Sequence, residues 1–126
     1  MTGTEYQYLA MRTDDDMATC RLLDWERTQG HKDFYSGGIL NGCLGLAGET
    51  GELLDMVKKW IFHEKPLDES HAQKELGDVL WYCALIATSF GWELDEVMEQ
   101  NIAKLETRYP EGFDIDRANN RKEDDV

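Results

Sequence analysis

Two pairs of acidic residues with helical spacing are the strongest chemical signal in the sequence. Glu49 and Glu52 stand three residues apart, and so do Glu75 and Asp78. Residues at i and i+3 share one face of an α-helix, with Cβ atoms about 5–6 Å apart, so each pair directs two carboxylates the same way. Carboxylate oxygens are the ligands that Mg²⁺ and Mn²⁺ prefer. If the two helices face each other, the four acids predict a site for Mg²⁺, with Mn²⁺ as a substitute.

Chance offers an alternative explanation for these pairs. The chain has 26 acidic and 13 basic residues, so ExxE and ExxD motifs also arise on solvated helix faces. The segments AGETGELL and KELGDVLW instead surround the acids with apolar and small residues. An interior glycine costs a helix about 1 kcal/mol relative to alanine, and four of them, Gly45, Gly48, Gly51 and Gly77, lie beside or between the acids. We expect these glycines to make room for the facing helix or for a ligand.

A third group of polar residues lies further along the chain, in the segment NIAKLETRYPEGF. Asn101, Lys104 and Arg108 have spacings of three and four, which aligns an amide, an ammonium and a guanidinium on one helix face. This pattern also fits an ordinary solvated face. Beside a carboxylate site for a cation, the same face would bind the anionic oxygens of a polyphosphate.

Two long helices are expected to carry the acids. Apolar residues recur with the 3.6-residue period of a helix from 39 to about 63. They are Leu40, Leu44, Ala47, Leu54, Val57 and Ile61. A second helix is expected from about 69 to 90, between an N-cap at Asp68 and a C-terminal Gly91. Because the connection HEKPLDES is short, the two helices should be antiparallel.

A third helix is expected from about 95 to 109, before Pro110. Its apolar residues, expected to point inward, are Val97, Met98, Ile102 and Leu105. Two shorter helices at about 6–12 and 17–28, a glycine-rich loop at 30–38 and a mobile tail at 114–126 complete a single domain of residues 1–126. No alternating strand pattern competes with these helices, so the fold class is all-α, a helical bundle.

Composition excludes several classes of function. A net charge of −13 argues against binding to nucleic acid or to an anionic membrane, both of which need clustered Lys and Arg. No signal peptide or membrane-spanning stretch is evident, so a cytoplasmic location is expected. The three cysteines lack metal-ligand spacing and are expected to be reduced thiols. The three histidines form no HExxH motif, and structural or surface roles are expected for them.

The segments GLAGETGELLD, KELGDVLWY and NIAKLETRYPEGF together resemble the MazG-like branch of the all-α nucleoside triphosphate pyrophosphohydrolases. That family combines an ExxE, an ExxD about two dozen residues later and a downstream KxxxR. The resemblance implies a four-helix core completed by association as a homodimer or homotetramer. It also implies Mg²⁺-dependent hydrolysis of a nucleoside triphosphate to the monophosphate and pyrophosphate, as part of nucleotide-pool housekeeping.

The resemblance also assigns roles to individual residues. Metal ligands would be Glu49, Glu52, Glu75 and Asp78. Phosphate-binding residues would be Lys104 and Arg108, with Asn101 on the same face, and Tyr82 occupies a position that contacts the base in some relatives. Trp60 is a second candidate for base stacking. Many relatives have another acid where this chain has Gly48, which leaves one carboxylate fewer.

The mechanism that follows is a hypothesis about phosphoryl transfer. A water oriented by a carboxylate, which we assign to Glu52 with Glu49 beside it, attacks the α-phosphorus in line while pyrophosphate leaves. Lys104 and Arg108 would neutralise charge on the leaving group. Three alternatives are a phosphoribosyl-ATP pyrophosphohydrolase-like activity, a non-catalytic helical assembly module and a carboxylate-bridged di-iron bundle. The di-iron bundle needs a Glu-x-x-His that this sequence lacks.

Overall fold

The structure is a computed structural model that describes residues 1–29 and 34–120. Its six helices are α1 (Gly3–Met11), α2 (Asp16–Gln29), α3 (Ser36–Phe62), α4 (Glu69–Phe90), α5 (Leu94–Arg108) and α6 (Ile115–Asn119). Within these residues the only pairing of β type is an isolated bridge between Pro110 and Gly112. The all-α fold class is therefore confirmed.

The two long helices, α3 and α4, pack along each other as an antiparallel pair. The Asp68 side chain accepts a hydrogen bond from the backbone N–H of His71 at 3.0 Å, so it caps α4 as predicted. Gly91 ends α4 in the left-handed conformation, with φ 73°, which glycine adopts without steric cost. The long helices and both caps of α4 thus agree with the sequence pattern.

Small residues form the face of α3 that lies against α4. Gly38 and Gly42 are buried. A Cβ atom built at Gly42 would press on Ile86, and one built at Gly45 would overlap the Tyr82 ring. The two backbones can therefore approach closely only because these positions have no side chain. The expectation that glycine makes room for the facing helix is confirmed for Gly45.

For three other glycines, Gly48, Gly51 and Gly77, contact with the facing helix is not found within a single chain, and room for a ligand stays the prediction. A Cβ atom built at Gly48, Gly51 or Gly77 would have no heavy atom within 4 Å outside its own helical surroundings. Gly48 and Gly51 lie one and two turns beyond Gly45 on α3, and Gly77 lies on α4. Their lack of a side chain leaves open space beside the acids.

The apolar stripe of α3 lies on the opposite side of the helix and is exposed. Leu44, Leu54 and Ile61 are 66, 67 and 58% exposed. The apolar residues of α5 were expected to point inward, and within one chain this expectation is wrong. Helix α5 makes few contacts with α4, and the side chains of Met98 and Ile102 are more than half exposed. Among the described residues, Ala87 is the one buried hydrophobic side chain.

The remaining parts of the chain flank this pair. The predicted loop at 30–38 is shorter, since α3 already begins at Ser36, and residues 30–33 lie outside the described part. The predicted mobile tail includes the short helix α6, and residues 121–126 lie outside the described part. The thiols of Cys20, Cys43 and Cys83 are free. No helix in the described ranges is long and apolar enough to cross a membrane.

Candidate metal centre

Three of the four predicted metal ligands come together where α3 faces α4. Glu49, Glu52 and Glu75 each offer one carboxylate oxygen, and these three oxygens all lie within 4.8 Å of one another. We call these residues the acidic trio. Glu49 and Glu52 come from one turn of α3, and Glu75 reaches them from α4. The predicted convergence of carboxylates from two antiparallel helices is therefore present in the structure.

The surroundings of Glu49 raise the pKa of its carboxyl group. Its pKa lies above the ordinary value of 4.5, first because the carboxyl group loses contact with water and then because Glu52, Asp78 and Glu75 repel its charge. A cation placed among these groups would reverse that repulsion and favour the ionised form.

Asp78 lies at the edge of the cluster. It contributes to the raised pKa of Glu49, but its carboxylate is not one of the three oxygens that converge within 4.8 Å. It is exposed and lies one turn after Glu75 on α4. Its position suits a fourth ligand that turns toward a cation.

Glu75 is the most enclosed member of the trio, with 7% of its surface exposed. The His71 imidazole donates from Nε2 to Glu75 Oε1 at 2.6 Å, across one turn of α4. This contact occupies Oε1, so Glu75 has a partner outside the cluster. His71 lies outside the trio and acts as a positioning residue for Glu75. The i,i+4 spacing of His71 and Glu75 was the sequence signal for this contact.

A pocket of about 590 Å³ opens beside the trio, toward the connection between α3 and α4. Glu52 and Glu75 line it. Gly48 and Gly51 form part of its wall, so their missing side chains enlarge the pocket. Two lysines that the sequence patterns did not single out, Lys59 and Lys65, also line it.

The predicted phosphate-binding residues lie elsewhere in the chain. Asn101 and Lys104 are exposed on α5, and none of Asn101, Lys104 and Arg108 lines the pocket beside the trio. Arg108 is partly buried, and its guanidinium lies 5.9 Å from the centre of the Tyr109 ring. Within one chain, the bases of α5 are therefore not part of this pocket.

The two candidate base-stacking residues have different surroundings. Tyr82 is partly buried, lies over Gly45 and meets Trp81 edge-on, with ring centroids 4.9 Å apart. Its ring is thus part of the contact between α3 and α4. Trp60 is 51% exposed near the end of α3 and does not line the pocket.

Paired long helices with converging carboxylates define an all-α protein with an acidic centre on a helical hairpin. The family model described as the MazG nucleotide pyrophosphohydrolase domain matches residues 40–113, which include both acid pairs and the bases of α5. The chain therefore belongs to the MazG nucleotide pyrophosphohydrolase family. It is also similar to the Gene 37 protein of Mycobacterium phage L5, with 34% identity over 88 residues that cover 67% of this chain and 77% of that protein. No solved structure matches the chain significantly.

Proposed function

We propose that this protein hydrolyses nucleoside triphosphates to the monophosphate and pyrophosphate in a Mg²⁺-dependent reaction, as a housekeeping activity on the nucleotide pool. The observation that carries the proposal is the acidic trio, formed by two helices within the matched family domain. The open pocket beside the trio supports it, because a triphosphate needs room next to the metal ligands.

The residues of the trio fit a Mg²⁺ ion. All the donors are oxygens, which suits a hard cation. The raised pKa of Glu49 reflects desolvation first and then repulsion by the neighbouring acids, and a cation would remove that repulsion. Glu49, Glu52 and Glu75 would hold the ion, with Asp78 as the fourth ligand, and Mn²⁺ would substitute. When bound, the ion would supply electrophilic activation of the phosphate oxygens.

The protein's own residues divide the remaining work. Glu52 is exposed at the mouth of the pocket, so it is the trio member best placed to orient a water for in-line attack on the α-phosphorus. Glu75 is fixed by His71 and keeps the geometry of the cluster constant. Lys104, Arg108 and Asn101 would bind phosphate oxygens, and in an assembly of several chains they can come from a second copy.

Association with a second copy is part of the proposal. The chain exposes 10740 Å², whereas a folded protein of 14.5 kDa exposes about 6,900 Å². Part of the difference belongs to α1 and α2, and part to the apolar faces of the longer helices. On α3 the exposed residues Leu40, Leu44, Ala47, Leu54 and Ile61 have spacings of four, three, seven and seven residues, so they fall on one face in a seven-residue pattern. We call this set the apolar seam, and its 3.5-residue period is typical of a helix that packs against another helix in a bundle. A homodimer or homotetramer that covers the seam is the expected form.

The experiment is a measurement of pyrophosphate release from a panel of natural and modified triphosphates, with phosphoribosyl-ATP included, at varied Mg²⁺ concentration. We expect Mg²⁺-dependent turnover by the wild-type protein and a loss of about 100-fold or more in kcat for Glu75→Gln, because a catalytic metal contributes several kcal/mol. Glu69→Gln is the matched control, since Glu69 is exposed on the same helix and outside the trio.

Three results would contradict the proposal. Turnover of no triphosphate, together with no stabilisation by divalent cations in a melting experiment, would favour a non-catalytic assembly module. Full activity of Glu75→Gln would remove the trio from catalysis. Turnover of phosphoribosyl-ATP alone would assign the protein to that narrower reaction.

A further inference from the structure

We propose that Lys59 and Lys65 bind the two distal phosphates of the substrate, the part that leaves as pyrophosphate. This inference rests on the proposed function, and it gives the leaving group a binding site on the same chain as the acidic trio. The two lysines lie outside the KxxxR motif. The inference rests on the residues that line one pocket and on the direction in which side chains of α3 lean.

One pocket is lined by two members of the trio and by both lysines. Glu52 and Glu75 face the pocket, and so do Lys59 and Lys65 from the end of α3 and the connection that follows it. Lys59 stands seven residues after Glu52, about 10 Å along the helix axis. Side chains on an α-helix lean toward its N-terminus, so the long stem of Lys59 points back toward Glu52. A polyphosphate held at the trio would therefore extend toward the lysine ammonium groups.

The local structure at the end of α3 fixes where Lys65 lies. Glu64 adopts a left-handed backbone conformation with φ 52°, which is uncommon for a residue other than glycine. The backbone N–H of Lys65 then donates to the carbonyl oxygen of Lys59 at 3.2 Å. This turn reverses the chain and brings the two lysines to the same pocket. A non-glycine residue held in this conformation is a feature that accumulates at ligand sites.

Two acids that share the pocket with the lysines, Asp55 and Asp68, already have partners. Asp68 caps α4. Asp55 pairs with Lys59 at 2.5 Å and with Lys58 at 3.1 Å, and the hydrogen bond from Lys59, followed by that from Lys58, holds its pKa below the usual range.

The two lysine ammonium groups still have donors to offer. Lys59 keeps two of its three ammonium hydrogens after pairing with Asp55. Lys65 makes no ion pair with any residue in the described ranges. Lys65 thus offers an ammonium group without an ion pair among the described residues, and Lys59 offers the hydrogens that Asp55 does not use.

A polyphosphate is the ligand class that matches both the acids and the lysines of this pocket. A cation at the trio would hold oxygens near the α-phosphate, whereas ammonium groups bind the charge of the β- and γ-phosphates. Hydrolysis breaks the bond between the α-phosphorus and the bridging oxygen, and the electron pair leaves with pyrophosphate. Lys59 and Lys65 would neutralise the negative charge that develops there.

The test compares ligands that do and do not contain the distal phosphates. Binding of inorganic pyrophosphate, a nucleoside triphosphate and the matching nucleoside monophosphate is measured by calorimetry in Mg²⁺ for wild type, Lys59→Gln and Lys65→Gln. We expect each substitution to weaken pyrophosphate and triphosphate binding about tenfold, as for loss of one charge-assisted hydrogen bond, and to leave monophosphate binding within about twofold. Lys58→Gln is the control, because Lys58 neighbours Lys59 and pairs with the same Asp55 but does not line the pocket.

Each other result overturns the inference. If both variants bind pyrophosphate as tightly as wild type, or if wild type does not bind it, the two lysines do not form a pyrophosphate site. An equal loss in Lys58→Gln shows a general effect of charge, and an equal loss of monophosphate binding places the lysines near the α-phosphate. Because the measurement follows binding, it separates this inference from the proposed function. A protein that binds pyrophosphate through these lysines but turns over no triphosphate would retain the site and lose the activity.

Discussion

The two faces of α3 have opposite compositions and opposite surroundings. The face toward α4 carries Gly38, Gly42 and Gly45, followed by acids, and it is the closely packed one. The other face carries the large apolar residues of the seam, and it is exposed. A single amphipathic helix would normally bury its apolar stripe and expose its polar one.

This difference separates two tasks of the helix. Small residues bring the backbones of α3 and α4 close together, so that Glu75 can reach Glu49 and Glu52 and form the acidic trio. The large apolar residues supply little to that contact, and they remain available for a second copy. The site thus depends on contacts within the chain, and the stability of the proposed assembly depends on contacts between chains.

The largest expected effect comes from a substitution on the exposed face of α3, and it is a loss of self-association. Leu54→Asp should abolish association, because it places a charge in the seam of every copy, and burial of one leucine contributes about 1.5–3 kcal/mol. In a twofold assembly this burial energy is lost from both copies. Sedimentation velocity against protein concentration measures it.

Leu23→Asp is the matched control for that substitution. Leu23 is 69% exposed and Leu54 is 67% exposed, but Leu23 lies on α2, away from the seam. We expect the Leu23 variant to associate like wild type. If the Leu54 and Leu23 variants both self-associate as strongly as the wild-type protein, the seam is a solvated surface.

The next effect tests the packed face. Gly45→Ala should destabilise the protein by about 1–3 kcal/mol, because the added methyl group overlaps the Tyr82 ring. Gly48→Ala, one turn further along α3, has open space and should stabilise the helix by about 0.5–1 kcal/mol. Urea unfolding of both variants provides the comparison. If both substitutions changed the free energy of unfolding in the same direction, α3 and α4 would not approach as closely at Gly45 as described.

The smallest effect is electrostatic. Because the folded protein raises the pKa of Glu49, the contribution of this carboxyl group to stability is fully present below its ordinary value of 4.5 and is lost as pH rises through the raised pKa. Glu49→Gln should therefore slightly raise the melting temperature of the metal-free protein near pH 7, and the gain should shrink toward pH 5.

Mg²⁺ supplies the second half of that test. It should raise the melting temperature of wild type but not of Glu49→Gln, because a ligand that binds only the native state stabilises it. A variant that melts below wild type without metal at neutral pH would contradict the repulsion described at the site.

Much of the fold could be predicted because local patterns determine it. The predicted bounds of the second long helix, 69–90, agree with α4, and its two caps follow from the chemistry of Asp68 and Gly91. The surface that covers each helix face could not be predicted as well. A 3.6-residue apolar stripe indicates that a face is to be covered, but it carries no information on whether the same chain or another copy covers it.

The candidate site shows the same limit. The spacing of Glu49, Glu52 and Glu75 predicted their convergence, since i,i+3 pairs on antiparallel helices leave few alternatives. The place of Lys65 could not be predicted, because it depends on Glu64 in a left-handed conformation that sequence patterns normally assign to glycine or asparagine. The ligand roles of the trio and of Asp78 stay predictions until metal binding is measured.

The short connection between α3 and α4 also has a kinetic consequence. The hairpin forms from residues close in sequence, and contacts of that kind form fast. Ala87 is the one buried hydrophobic side chain in the described ranges, so the hairpin alone gains little from burial. We therefore expect refolding to show a rapid first-order phase followed by a slower second-order phase, whose rate rises with protein concentration.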